Sequence, residues 1–111
     1  IDIHEDLVAM TARHLAERGI AGCELKVEDA FSRSDSAQYD AIAVTGSMPD
    51  YRGEFDAWLK PGGRLFVIEG RGTPMEALLL RQTNAGVQRE SLFETQLPPL
   101  LNAPDQLGFR F

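Results

Sequence analysis

Two aspartates stand where extended stretches of the chain give way to helical or turning ones. Asp2 lies in Ile1-Asp2-Ile3-His4, whose apolar and polar residues alternate like the end of a strand, one short turn before a helix. A carboxylate at such a tip suits the two hydroxyls of a ribose, because the ionised group can accept two hydrogen bonds. Asp29 follows Cys23-Glu24-Leu25-Lys26-Val27, a second alternating stretch. There a carboxylate can accept from an exocyclic amine such as that of adenine, with the backbone N–H of Ala30 beside it and Ile3 available to pack on the base. Read singly, each acid serves equally well as a helix cap or a turn residue. As a pair on neighbouring strand ends, separated by one helix, they describe the adenosine half of a nucleotide site.

Thr45-Gly46-Ser47 follows an apolar stretch, and small residues there leave room for a ligand to approach the backbone; a plain tight turn reads as well. Lys60-Pro61-Gly62-Gly63 lacks the spacing of a phosphate loop and precedes a strand rather than a helix, so it reads as a turn. His4 has no nucleophile near it in the sequence, and Cys23, with no basic neighbour, reads as a small buried apolar residue. No nucleophile–base pair emerges as a catalytic constellation, and His4 and His14 lack the company that metal ligation needs.

The 111 residues carry 17 Asp and Glu against 11 Lys and Arg, a formal charge of −6, with 43% hydrophobic side chains. That balance fits one ordinary globular domain and disfavours a nucleic-acid partner, since no basic cluster offsets the acidic surface. No apolar run approaches the roughly 18 residues of a spanning helix, so no membrane association is expected. The single cysteine cannot form an internal disulfide, which favours a cytoplasmic setting.

The elements that must position the acids are legible in the hydrophobic periodicity. Glu5 and Asp6 open a helix, Arg13, His14 and Arg18 close it, and Gly19 supplies a left-handed stop. Leu7, Val8, Thr11 and Leu15 share its predicted buried face. A strand is expected over Cys23–Val27 and a polar, mobile loop over Ser32–Gln38. A buried-type strand should cover Tyr39–Thr45, a covering helix Tyr51–Leu59, and a further strand Arg64–Glu69. Such alternation implies parallel strands with helical crossovers, an open α/β sheet whose ligands collect at the carboxyl ends of the strands, here Asp2, Asp29 and Thr45. The last third is locally ambiguous. Thr73-Pro74-Met75-Glu76 has a capping-box spacing ahead of the helix-forming Ala77–Leu80, while Asn84-Ala85-Gly86 and the strand-like content after it suggest a hairpin. Beyond Pro98-Pro99 an irregular tail with a closing edge segment at Phe109–Phe111 is expected.

Several of these stretches resemble the protein-L-isoaspartate O-methyltransferases, within the larger class of S-adenosylmethionine-dependent enzymes on a Rossmann-like sheet. Ile1-Asp2 with Glu5-Asp6-Leu7-Val8 is similar to that family's second strand and following helix, where the acid binds the cofactor ribose. Glu28-Asp29-Ala30 resembles its adenine-binding glycine-aspartate-glycine motif, with glutamate and alanine in place of the glycines. Tyr39-Asp40-Ala41-Ile42, Val44-Thr45-Gly46 and Pro49 resemble the fourth-strand motif beside the methionine part of the cofactor, and Leu59–Leu65 the turn into the fifth strand. Glu90–Thr95 and Leu97-Pro98-Pro99-Leu100 look like the terminal hairpin and proline-leucine segment of bacterial members.

The resemblance implies strands over Met75–Thr83 and Val87–Gln96, and a sheet ordered three-two-one-four-five-seven-six. The first strand, the glycine-rich loop after it and the amino-terminal substrate-binding region find no match in these residues. The chain is therefore expected to be the C-terminal part, 1–111, of a single methyltransferase domain, inactive alone. The implied activity is methyl transfer from S-adenosylmethionine to a carboxylate, the isoaspartyl residues of damaged proteins being the expected partner substrate. The implied cofactor-binding residues are Asp2, Ile3, Asp29, Ala30, Thr45 and Gly46. A small-molecule methyltransferase, an NAD-dependent Rossmann oxidoreductase using Asp2 for ribose, and a non-enzymatic scaffold remain as alternatives.

Overall fold

A computed structural model describes residues 1–33 and 37–103. The centre of the expected polar loop and the tail from 104 onward lie outside the described residues. The chain divides into two compact units, Ile1–Ser34 and Asp35–Phe111.

The first unit is a helix beside one bridged pair of extended segments. Helix α1 spans Glu5–Glu17, with Glu5 and Asp6 in its first turn, where the helix dipole favours carboxylates. It ends as expected: Gly19 adopts a φ of 66°, and the Ile20 N–H reaches back to the Leu15 carbonyl at 2.9 Å. The expected buried face is not buried. No residue of α1 is fully enclosed, and Leu7 and Met10 are each 38% exposed. Nor does Cys23–Val27 form a strand. Its pairing is a single parallel bridge, Asp2 to Val27, and one bridge does not make the ladder that defines a strand. Without a ladder to bury it, Cys23 is exposed rather than enclosed.

The second unit is a four-stranded sheet in the order β1-β2-β3-β4, comprising Tyr39–Met48, Leu59–Glu69, Met75–Thr83 and Gly86–Thr95. β1 and β2 are parallel; β2–β3 and β3–β4 are antiparallel. The terminal hairpin thus forms as the resemblance implies, and cross-strand pairing overrides the helical propensity of Ala77–Leu80. The implied order, with the last strand beside the fifth, does not. β2 and β3 are joined by residues 70–74, and so short a link can only return antiparallel beside β2, since a parallel crossover needs a dozen residues or more.

Two further expectations are corrected. Tyr51–Leu59 is not a helix; only a single 3-10 turn forms, Asp56–Trp58. Gly53 sits at a φ of 95°, and side chains accept from backbone N–H groups along the segment. The Tyr51 N–H donates to Glu69 Oε2 at 2.8 Å, and the Phe55 N–H donates to the Tyr51 hydroxyl at 3.0 Å. β1 does not stop at Thr45 either. The register slips between Ala43 and Ser47, after which Ser47 and Met48 pair with Ile68 and Glu69. Thr45 and Gly46 are therefore inside an irregular stretch of the strand, not beyond its end. Lys60–Gly63, expected as a turn, forms a bulge within β2, between the pairs Tyr39–Leu59 and Ala41–Arg64.

The core follows from strand alternation. Leu65 and Val67 pair across with Leu80 and Leu78, all four at most 4% exposed. On the opposite face Ile68, Met75 and Ala77 pack with Phe66 and Leu97. The crossover contributes its aromatics: Tyr51, Phe55 and Trp58 are buried, the last two with ring centroids 4.8 Å apart. β4 is exposed almost throughout, as befits an edge strand.

Candidate functional site

The first unit brings the two acids together. The Asp2 N–H donates to the Lys26 carbonyl at 3.1 Å and the Glu28 N–H donates to the Asp2 carbonyl at 3.0 Å. These two bonds clamp Asp2 beside Val27, so Asp29 emerges two residues further on from the neighbouring segment. Both side chains are half-buried. Both also hold the turn that follows them: Asp2 Oδ1 accepts from the His4 N–H at 2.8 Å, and Asp29 Oδ1 accepts from the Phe31 N–H at 2.9 Å. The cap reading and the ligand reading are therefore compatible, since a carboxylate has about four acceptor positions and a cap occupies one. The 3-10 turn Ala30–Ser32 is tightened by the Ser32 hydroxyl, which donates to the Asp29 carbonyl at 2.8 Å. Arg33 pairs with Glu28 at 2.9 Å. Ile3, beside Asp2, is 38% exposed.

In the second unit, Thr45 is exposed and Gly46 half-buried. A Cβ on Gly46 would sit 2.4 Å from Leu100 Cδ2 and 2.8 Å from its Cγ. The small residue leaves room for a close approach, as its type suggested, and the approaching group is Leu100. The segment carrying it is stitched to the end of β1. The Ser47 N–H donates to the Pro98 carbonyl at 2.9 Å, the Leu100 N–H donates to the Ser47 carbonyl at 2.8 Å, and the Ser47 hydroxyl donates to the Leu97 carbonyl at 3.0 Å. Ser47 is 1% exposed.

Beside it, at the carboxyl end of β2, Glu69 accepts from the Tyr51 N–H and pairs with Arg89 of β4 at 2.6 Å. Asp50 pairs with Arg71 at 3.2 Å. Sequence reading gave Ser47 only as a small residue after a strand and Glu69 only as a strand end, with no role for either side chain. The signal available for Glu69 was a lone acid ending an otherwise apolar strand; for Ser47, whose partners lie some 50 residues away, there was none. The Tyr51 hydroxyl, 2.7 Å from Asp56 Oδ1, is held far above the usual tyrosine range, first by burial and then by that carboxylate. It is a permanent hydrogen-bond donor.

An acid pair at bridged tips and, separately, a parallel strand pair extended by an antiparallel hairpin are each of the kind found in open, Rossmann-like α/β folds. Solved structures bear out that fold. A protein-L-isoaspartate O-methyltransferase from Plasmodium falciparum, crystallised in complex with S-adenosyl-L-homocysteine, superposes with a TM-score of 0.72 at 15% identity, over 87% of this chain and 49% of that one. A second protein-L-isoaspartate O-methyltransferase gives 0.71 at 20% identity, over 95% of this chain and 33% of the other.

The curated relatives are more specific. The protein-L-isoaspartate O-methyltransferase of Pseudomonas paraeruginosa is 34% identical over 68 residues, 61% of this chain and 32% of the relative. That of Koribacter versatilis is 28% identical over 103 residues, 91% of this chain and 46% of the relative. No family model matches the chain. The chain is similar in sequence to the protein-L-isoaspartate O-methyltransferases, as its motifs suggested, and it spans between about a third and a half of the length of the curated relatives it matches.

Proposed function

We propose that this chain is the C-terminal part of a methyltransferase domain and supplies the adenosine-binding acids of an S-adenosylmethionine-dependent enzyme. The acceptor in this reading is a carboxylate, the free α-carboxyl of isoaspartyl residues in damaged proteins, and the setting is cytoplasmic. The observation that carries it is the Asp2–Val27 bridge, which sets Asp2 and Asp29 at neighbouring tips in a relative of enzymes with this activity.

The residues present fit the adenosine portion of the cofactor. Asp2 would accept from the ribose hydroxyls and Asp29 from the adenine amine, each keeping its cap on Oδ1; Ala30 offers its backbone N–H and Ile3 an exposed apolar side chain for the base. The resemblance assigns the methionine end to Thr45 and Gly46. Exposed Thr45 fits that role directly, whereas the space above Gly46 is already filled by Leu100. Leu100 and the Pro98 backbone would keep water from that end. When bound, the cofactor supplies an electrophilic methyl group on a sulfonium. A carboxylate acceptor is a weak nucleophile, so alignment and exclusion of water are what the protein must add, more than acid–base help.

Isothermal titration of the full-length polypeptide carrying this sequence with S-adenosylhomocysteine and with NAD tests the cofactor, and methylation of an isoaspartyl peptide against small carboxylic acids tests the acceptor. Asp2→Ala and Asp29→Ala should each weaken S-adenosylhomocysteine binding by about ten- to a hundredfold, the worth of a hydrogen bond to a charged group. Residues 1–111 alone should bind it weakly or not at all and show no turnover. Preferential NAD binding, or unchanged affinity in both variants, would overturn the reading.

A further inference from the structure

Glu28 stands where the motif it resembles has a glycine, and its side chain has a partner. The Arg33 guanidinium donates to Glu28 Oε2 at 2.9 Å, and the arginine side chain is only 15% exposed. A charge so enclosed is screened less by salt than a surface one, and a charge-assisted hydrogen bond fixes direction as well as proximity. The pair closes the base of the turn that carries Asp29 and Ala30. Residues 28 and 33 flank that turn. Within it the Phe31 N–H donates to Asp29 Oδ1 at 2.9 Å, the Ser32 N–H to the Asp29 carbonyl at 3.0 Å and the Arg33 N–H to the Ala30 carbonyl at 3.3 Å.

The same glutamate reaches the other acid. Its backbone N–H donates to the Asp2 carbonyl at 3.0 Å, one of the two bonds that clamp Asp2 beside Val27. Glu28 is therefore joined to Asp2 through its backbone and to the far end of the Asp29 turn through its side chain. A glycine in this position could make the first link but not the second. The second link limits how far the Asp29 carboxylate and the Ala30 N–H can swing relative to Asp2, and an acceptor and a donor held side by side can tell one base edge from another.

We propose that the Arg33–Glu28 ion pair is a positioning device for the adenine contacts and sharpens the choice of adenine over hypoxanthine. The inference rests on the adenosine-binding reading above. Adenine presents an amine donor beside a ring-nitrogen acceptor, which match Asp29 and the Ala30 N–H. Hypoxanthine presents a carbonyl and a ring N–H in their places, so acceptor meets acceptor and donor meets donor.

Isothermal titration of the full-length polypeptide carrying this sequence with S-adenosylhomocysteine and with S-inosylhomocysteine gives the ratio of the two affinities. The unsubstituted protein should prefer the adenosyl ligand by at least about tenfold, and the ratio should fall by about three- to tenfold in Arg33→Met and in Glu28→Met. The double variant should fall no further than either single one. Arg33→Lys, which keeps a charge for Glu28, should stay within about twofold of the unsubstituted ratio. A purely structural role would weaken both ligands equally and leave the ratio unmoved. That outcome, losses that multiply in the double variant, or a lysine variant as indifferent as the methionine one would overturn the proposal. Glu28→Met decides it should Arg33→Met fail to fold. Failure of the unsubstituted protein to bind S-adenosylhomocysteine, or to prefer it, would instead overturn the adenosine reading, and this inference with it.

Discussion

Replacing Gly46 with alanine asks whether this glycine is small for the sake of a ligand or for the sake of the chain. The added Cβ would stand 2.4 Å from Leu100 Cδ2 and 2.8 Å from Leu100 Cγ, with the Leu100 backbone nitrogen at 3.5 Å. Carbon atoms settle at about 3.5–4.0 Å, so the leucine side chain must swing away by more than an ångström. Its terminal methyl can turn about χ2, but clearing Cγ takes a change of χ1 as well, which re-packs the whole side chain. Part of the displacement then falls on the Leu100 N–H bond to the Ser47 carbonyl, now 2.8 Å long. Overpacking of this kind costs about 1–3 kcal/mol, and strain shared with one hydrogen bond of about 1 kcal/mol places Gly46→Ala near 2 kcal/mol. Urea denaturation followed by the fluorescence of Trp58, the sole tryptophan and only 8% exposed, reads it directly. In a Leu100→Ala background most of the penalty should vanish, a coupling of about 1 kcal/mol or more. An undiminished cost in that background, or no cost in the parent, would refute the packing argument and return Gly46 to the role of ligand clearance.

Two further outcomes are expected. Tyr51 is pushed upward in the folded chain, first by burial and then by the Asp56 carboxylate; its hydroxyl must be protonated to fold, so its stabilisation is complete below the unfolded value of about 10 and is lost as pH rises above it. Denaturation midpoints at pH 8 and pH 10.8 should fall less in Tyr51→Phe than in the unsubstituted chain, and parallel falls would contradict this. Glu69→Ala strands the Tyr51 N–H, which donates to it at 2.8 Å, and releases Arg89. With the carboxylate side chain only 21% exposed, about 1–3 kcal/mol should be lost, whereas Arg89→Ala, whose own side chain is 48% exposed, should cost under about 1 kcal/mol; similar losses for the two would show that the ion pair, not the backbone bond, matters.

What could be read along the chain was whatever depends on neighbours in sequence. Helix α1 was legible because its charges and Gly19 lie within its own turns, and the acids Asp2 and Asp29 because each adjoins the turn it caps. The hairpin of β3 and β4 was not decided by local composition; the family resemblance pointed to it and the antiparallel pairing of Met75–Thr83 with Gly86–Thr95 realises it. Tertiary structure alone decided the rest. Tyr51–Leu59 has a helical pattern of apolar residues, yet the Tyr51 hydroxyl takes the Phe55 N–H that a helix would bond to the Tyr51 carbonyl, and Gly53 sits at a φ of 95°. Cys23–Val27 alternates like a strand but has a single bridge to pair with, and a strand is a property of two segments. Thr45 was expected at a strand end because small polar residues follow it, but Ser47 and Met48 find partners in Ile68 and Glu69 and carry the strand onward. Periodicity reports which face of a segment is apolar; only the folded chain reports whether donors, acceptors and a partner strand are there to meet it.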